Sequence, residues 1–103
     1  MRLHQHINLF IINIMNIKVI QDGQWYRFTC PHCNIDVEVN KKQVNCQIFR
    51  CGILKSNGKQ IGPHTKKQEC DRLFQNNLIH GCSKPFRYIR HPDGDYVEKC
   101  GYI

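Results

Sequence analysis

Short apolar runs broken by turn residues, one capped amphipathic stretch and seven spaced cysteines predict a small α+β fold, built of short β-hairpins with one α-helix around Thr65 to Asn77. At 103 residues the chain has the length of one domain, and a domain of that size buries a thin core. Hydrophobic residues make up 41% of it and charged residues 22%, a balance that excludes the disordered class.

Met1 to Asn16 is an Ile/Asn stretch without helical period or caps, and it reads as an N-terminal extension with Met15 as an alternative start; residues 17–103 form the predicted single domain. Ile17 to Ile20 and Trp25 to Thr29 flank Gln21-Asp22-Gly23-Gln24, where a glycine is available for positive φ, and this predicts a β-hairpin. Ile35 to Val39 alternates apolar and polar residues, the period of a half-buried strand, and a further strand is expected over Gln47 to Arg50. Gly52 to Gly62 is rich in Gly, Ser and Asn and reads as a loop or loose hairpin.

Thr65 and Gln68 stand at the spacing of a capping box, and Cys70, Leu73, Phe74 and Leu78 fall on one helical face behind them. Asn76 and Asn77 can close that helix, since Asn tolerates the left-handed conformation. Phe86 to Arg90, an Asp93-Gly94 turn and Tyr96 to Cys100 make a final hairpin.

The cysteines carry the chemistry. Ile7 to Ile20 is interrupted by Asn8, Asn13, Asn16 and Lys18 and lacks a small-residue cleavage site, so neither an export signal nor a membrane span is expected. A reducing compartment follows, where clustered cysteines bind zinc rather than form disulfides. Cys30-Pro31-His32-Cys33 is a C-x-x-C knuckle whose two sulfurs can reach one tetrahedral ion, and Cys46, Cys51, His64 and Cys70 nearly repeat zinc-finger spacing. Seven cysteines and His64 fill two tetrahedra. The predicted sites are Cys30, Cys33, Cys82 and Cys100 for one Zn²⁺, and Cys46, Cys51, His64 and Cys70 for the other. In an alternative pairing Cys46 and Cys51 complete the knuckle.

Competing readings attach to single residues. Cys70, on the apolar helix face, also fits a small buried hydrophobe, and His64 fits a surface position ahead of the helix. His80 can replace His64 or Cys100, His32 is expected to face solvent, and His4, His6 and His91 read as surface residues. The C-P-H-C motif resembles that of thioredoxin-fold oxidases of the DsbA type, which would make the chain a thiol-disulfide oxidoreductase. That chemistry needs the first cysteine at a helix N-terminus, whereas Ile35 to Val39 reads as a strand. A zinc deaminase is excluded by the lack of H-x-E and P-C-x-x-C, and closed four-ligand sites leave no position for a reactive water.

Beyond these spacings, Cys30 to Cys33, Asn45 to Arg50, Pro63-His64, Lys67 to Asp71, Gly81 to Phe86 and Cys100 to Ile103 together resemble a family of small zinc-finger-like proteins encoded by large DNA viruses and some phages. The family pattern has His where this chain has Cys51. The resemblance spans Trp25 to Ile103 and implies a zinc-stabilised viral protein of the host cytoplasm, nucleus or virion, without implying an activity.

The formal charge of +7 favours a polyanionic partner, although two zinc ions and seven thiolates would lower it to about +4. Lys41, Lys42, Arg50, Lys55, Lys59, Lys66 and Lys67 crowd the middle of the chain, and the expected role is non-catalytic nucleic-acid binding through this basic surface. The alternative is protein docking to a viral transcription or virion assembly through Phe86, Tyr88 and Tyr96 of the last hairpin. Neither a small-molecule substrate nor a membrane partner is expected.

Overall fold

Strand alternation decides most of the architecture. The computed structural model describes residues 1–4 and 16–103. In chain order these form β1 (Arg2–His4), β2 (Asn16–Lys18), β3 (Ile20–Asp22), β4 (Trp25–Thr29), β5 (Asp36–Asn40), β6 (Ile48–Arg50), β7 (Ile53–Leu54), α1 (Lys67–Gln75), β8 (Ile79–His80), β9 (Pro85–Ile89) and β10 (Tyr96–Lys99). The result is a small α+β fold of antiparallel strands with one α-helix and one short 3-10 helix, Lys41–Gln43, among the described residues. His6, Met15 as a start and the export-signal reading of Ile7 to Met15 lie outside the described residues.

One four-stranded sheet runs β1-β5-β4-β3 and another β2-β10-β9-β6, while β7 and β8 pair separately. On β4 and β5, Tyr26 lies opposite Val39 and Phe28 opposite Val37, and all four side chains are buried. On the second sheet Phe49 faces Phe86 and Tyr88 faces Val97, again all buried. The two inner faces meet: the Tyr26 and Tyr88 rings are 4.9 Å apart and those of Phe28 and Phe86 5.6 Å. Each such side chain removed from water contributes about 1.5–3 kcal/mol, so this apolar seam is the main source of cohesion that the chain itself supplies.

The expected hairpins are present with shifted edges. Gly23, at φ 60°, turns β3 into β4, and Gly94, at φ 123°, stands in the turn between β9 and β10. Ile17, expected beside β4, instead pairs with Val97 in the second sheet, because the chain crosses between sheets at Val19, whose N–H donates to Asp95 O at 3.0 Å. Arg2 to His4, read from sequence as part of an extension, form the edge strand beside β5, with Leu3 opposite Val37 and packed on the core.

The helix is shorter than its pattern. Its N-cap is Lys66, without a side-chain cap, and Thr65 Oγ1 donates to Gly62 O at 2.8 Å, so the capping box does not form. Cys70 and Leu73 are buried against Ile61 and Ile79. Phe74 and Leu78 are 56% and 41% exposed, since a helix of nine residues buries only a narrow stripe. Asn77, at φ 56°, follows the helix end as expected. No helix of the described residues is long and apolar enough to cross a membrane.

Candidate metal centre

The knuckle lies in the connection from β4 to β5. Cys30 follows the last residue of β4 and is fully buried. Its N–H donates to Ile35 O at 2.9 Å, and the Asn34 N–H donates back to Cys30 O at 3.0 Å. Asn34 accepts the left-handed conformation, at φ 62°, that this tight return needs. The backbone N–H of His32 points at the Cys30 sulfur from 3.4 Å.

Cys51 and Cys82 come from the second sheet. Pairing of Arg50 with Pro85 brings the end of β6 beside the start of β9. Beyond the ladder the Cys51 N–H donates to Lys84 O at 3.2 Å and the Ser83 N–H to Cys51 O at 2.7 Å. Gly81, at φ 99°, makes this approach possible: a Cβ there would stand 2.3 Å from Cys51 O. The two halves are joined by His32, whose ring nitrogen Nε2 lies 2.6 Å from Pro85 O, where its N–H donates to the carbonyl. His32 is therefore half-buried and bonded to the main chain, not turned to solvent, and burial lowers its pKa.

The ligand atoms of Cys30, Cys33, Cys51 and Cys82 all lie within 4.8 Å of one another. The Cys30 and Cys82 sulfurs are 3.8 Å apart. Four sulfurs placed at zinc–thiolate distance on a tetrahedron are separated by about 3.8 Å, so the cluster could hold one metal ion. Electrostatics point the same way. Hydrogen bonds from Cys30, and then from Cys51 and Cys82, hold the Cys33 thiol below its ordinary pKa. Hydrogen bonds to their neighbours, together with burial, push Cys30 and Cys51 up. Cys82 is lowered, first through Cys30. Four ionised sulfurs cannot share so small a space without a cation.

This grouping differs from the one expected. Cys51, not Cys100, joins the knuckle: both follow strands that flank β9, and the N–H of half-buried Cys100 donates to Pro85 O at 3.4 Å, but its sulfur is not among the four that cluster. The predicted second site is not assembled among the described residues. Cys46 is exposed with its sulfur 3.6 Å from Ile48 O, and exposed His64 places Nδ1 3.0 Å from Ile103 O. Cys70 is buried under α1 with its sulfur 3.6 Å from Thr65 O. His80 is exposed at the end of β8 and outside the cluster. The partnership of Cys51 with Cys82 left a faint mark in the sequence: each cysteine has a glycine beside it, Gly52 and Gly81, where the two backbones touch.

The basic residues divide. Lys42, Lys55, Lys59, Lys66 and Lys67 are exposed and Lys41 is half-buried. Lys41 reaches Gln21 at 3.0 Å, Lys55 Asn77 at 2.8 Å and Lys67 Asp71 at 2.6 Å. Arg50 does not belong to this surface. It is 1% exposed, because its Nε and Nη2 donate inward to Thr65 O and Ile103 O, each at 3.0 Å. Phe86 and Tyr88, proposed for docking, are core residues, and Tyr96 is half-buried beside His91.

Comparisons with protein-family models, with curated proteins and with solved structures gave no match.

Proposed function

We propose that Cys30, Cys33, Cys51 and Cys82 bind one zinc ion that locks the two sheets together, and that the protein is a zinc-stabilised, non-catalytic module binding nucleic acid through its lysine surface. The observation that carries the metal assignment is the mutual approach of four sulfurs within 4.8 Å, two from the knuckle between β4 and β5 and two from the segments after β6 and before β9. An all-thiolate tetrahedral set suits zinc and leaves no open coordination position for catalysis. The C-P-H-C turn joins two strands, and no helix starts behind Cys30 to supply the dipole of a redox knuckle, which supports the metal-binding reading.

Support for a polyanionic partner is the charge. One zinc on four thiolates leaves the formal +7 at about +5. The exposed lysines, at the first turn of α1 and in the 55–59 turn, suit phosphate contacts without base reading. Titration of duplex DNA at rising salt tests this reading: a steep loss of affinity supports it, and no binding at ~50 mM salt rejects it. Protein docking remains as a second reading on one observation. Exposed Phe74 borders a groove of about 770 Å³ that reaches Leu3, Ile35 and Cys33.

A further inference from the structure

Of the four clustered cysteines, one is open to solvent. Cys30 and Cys51 are fully buried and Cys82 is 9% exposed, whereas Cys33 lies at the surface. Access is built into the fold: a groove of about 770 Å³ runs between Leu3, Ile35 and Phe74 up to the cluster, and both Cys33 and Cys82 line it. Cys46 is the other exposed cysteine, but its sulfur faces Ile48 O and stands outside the cluster.

An exposed sulfur with further sulfurs beside it is the arrangement of an oxidation-sensitive thiol. A sulfur on zinc is a thiolate, the reactive form, so no helix dipole is needed to activate it. The Cys33 thiolate attacks a peroxide: an S–O bond forms, the O–O bond breaks and hydroxide leaves, which oxidises the sulfur by two electrons to a sulfenic acid. The Cys30 thiolate lies within 4.8 Å, in a turn that the Asn34 N–H closes onto Cys30 O, and it attacks that sulfur next. An S–S bond forms, the S–O bond breaks and a second hydroxide leaves. In sum, two thiolates, one peroxide and two protons give a disulfide and two waters. A bond closed within one knuckle leaves only Cys51 and Cys82 as ligands, half of the set that a structural zinc requires.

We propose that Cys33 is an oxidation site, where a peroxide closes the Cys30–Cys33 disulfide, expels the zinc and so unlocks the two sheets from each other. This regulation acts on the zinc site proposed above and presupposes it. It is stoichiometric and is reversed by a thiol reductant when zinc is present, unlike the turnover of an oxidoreductase.

The test is titration of the zinc-loaded full chain with hydrogen peroxide. Zinc content is measured before oxidation, released zinc is read with a chromogenic chelator, and cysteine pairing is read by peptide mapping in a mass spectrometer. About one zinc should appear per peroxide consumed by the cluster, with Cys30–Cys33 as the first disulfide, and dithiothreitol with added zinc should restore the starting state. Cys33→His offers zinc a ligand that cannot form a disulfide, and it should slow release at least about tenfold. Cys46→Ser should leave the rate unchanged, since Cys46 is exposed but outside the cluster. If Cys33→His does not hold zinc, the map of the wild type carries the test. Release from Cys33→His at the wild-type rate overturns the proposal, as does zinc retained after Cys33 is oxidised. So does a first disulfide between Cys33 and Cys82, which would tie the sheets together instead of freeing them. A folded chain without zinc before oxidation rejects the zinc reading itself, and this proposal with it.

Discussion

The sulfur of Cys82 lies 3.8 Å from that of Cys30, 52 positions earlier in the chain, and both are buried where the two sheets meet. That contact joins the turn after β4 to the approach of β9, so whatever occupies the four-sulfur cluster acts as a clamp between the sheets.

Gly81 sets how closely the Cys82 turn approaches Cys51. Gly81→Ala would place a methyl 2.3 Å from Cys51 O on a backbone already at positive φ. The expected outcome is a loss of about 3 kcal/mol in thermal or denaturant unfolding and a clear drop in zinc affinity by competition with a chelator. By contrast, Gly23→Ala, at φ 60° with nothing within 4 Å of the added atom, should cost only about 1 kcal/mol and leave zinc affinity unchanged.

Proton release on metal binding follows from the thiol shifts. In the metal-free cluster Cys33 and Cys82 are lowered and give up protons readily, while Cys30 and Cys51 are raised and keep theirs well above neutral pH. Zinc needs all four as thiolates, so binding should release protons, chiefly from Cys30 and Cys51, and fewer than four in all. Calorimetry in buffers of different ionisation enthalpy reads this number directly. Acid should favour the metal-free state, since falling pH returns protons to all four sulfurs.

Tyr88 donates its phenolic hydrogen to Asp95 Oδ2 at 2.5 Å, and burial first, then this bond, push its pKa up. The folded protein therefore favours the neutral phenol. That contribution is complete below the unfolded tyrosine pKa of about 10 and declines as pH rises beyond it. Tyr88→Phe should cost about 2 kcal/mol at neutral pH and flatten the alkaline fall in stability, as urea denaturation at several pH values would show.

Lys66 and Lys67 stand at the start of α1, and both are exposed. Replacing both by Ala should reduce the log–log salt slope of duplex binding by up to about two units while zinc content and helicity stay constant. An unchanged slope would move the contact elsewhere on the surface.

Much of the fold could be read from local pattern. The Val37 and Val39 alternation, the Gly23 and Gly94 turns and the Cys70–Leu73 stripe each carry their own periodicity or turn chemistry. What escaped the sequence was pairing at long range. Arg2 to His4 forms a strand only because β5 offers an open edge, and Ile17 leaves the first hairpin because Val97 supplies a better neighbour. The candidate site shows the same division: spacing alone identified the Cys30–Cys33 knuckle, whereas Cys51 and Cys100 follow the two strands on either side of β9 and only the folded sheets bring the Cys51 sulfur into the cluster. Arg50 read as one more basic residue, since nothing local marks a guanidinium that folds inward onto Thr65 O and Ile103 O.

The most direct test of the zinc clamp is the zinc content, by elemental analysis, of the purified wild type beside Cys51→Ser and Cys100→Ser. The account predicts about one zinc per chain in the wild type and in Cys100→Ser, with most of it lost from Cys51→Ser. Zinc retained by Cys51→Ser and lost from Cys100→Ser would contradict it, as would a folded wild type that holds no metal.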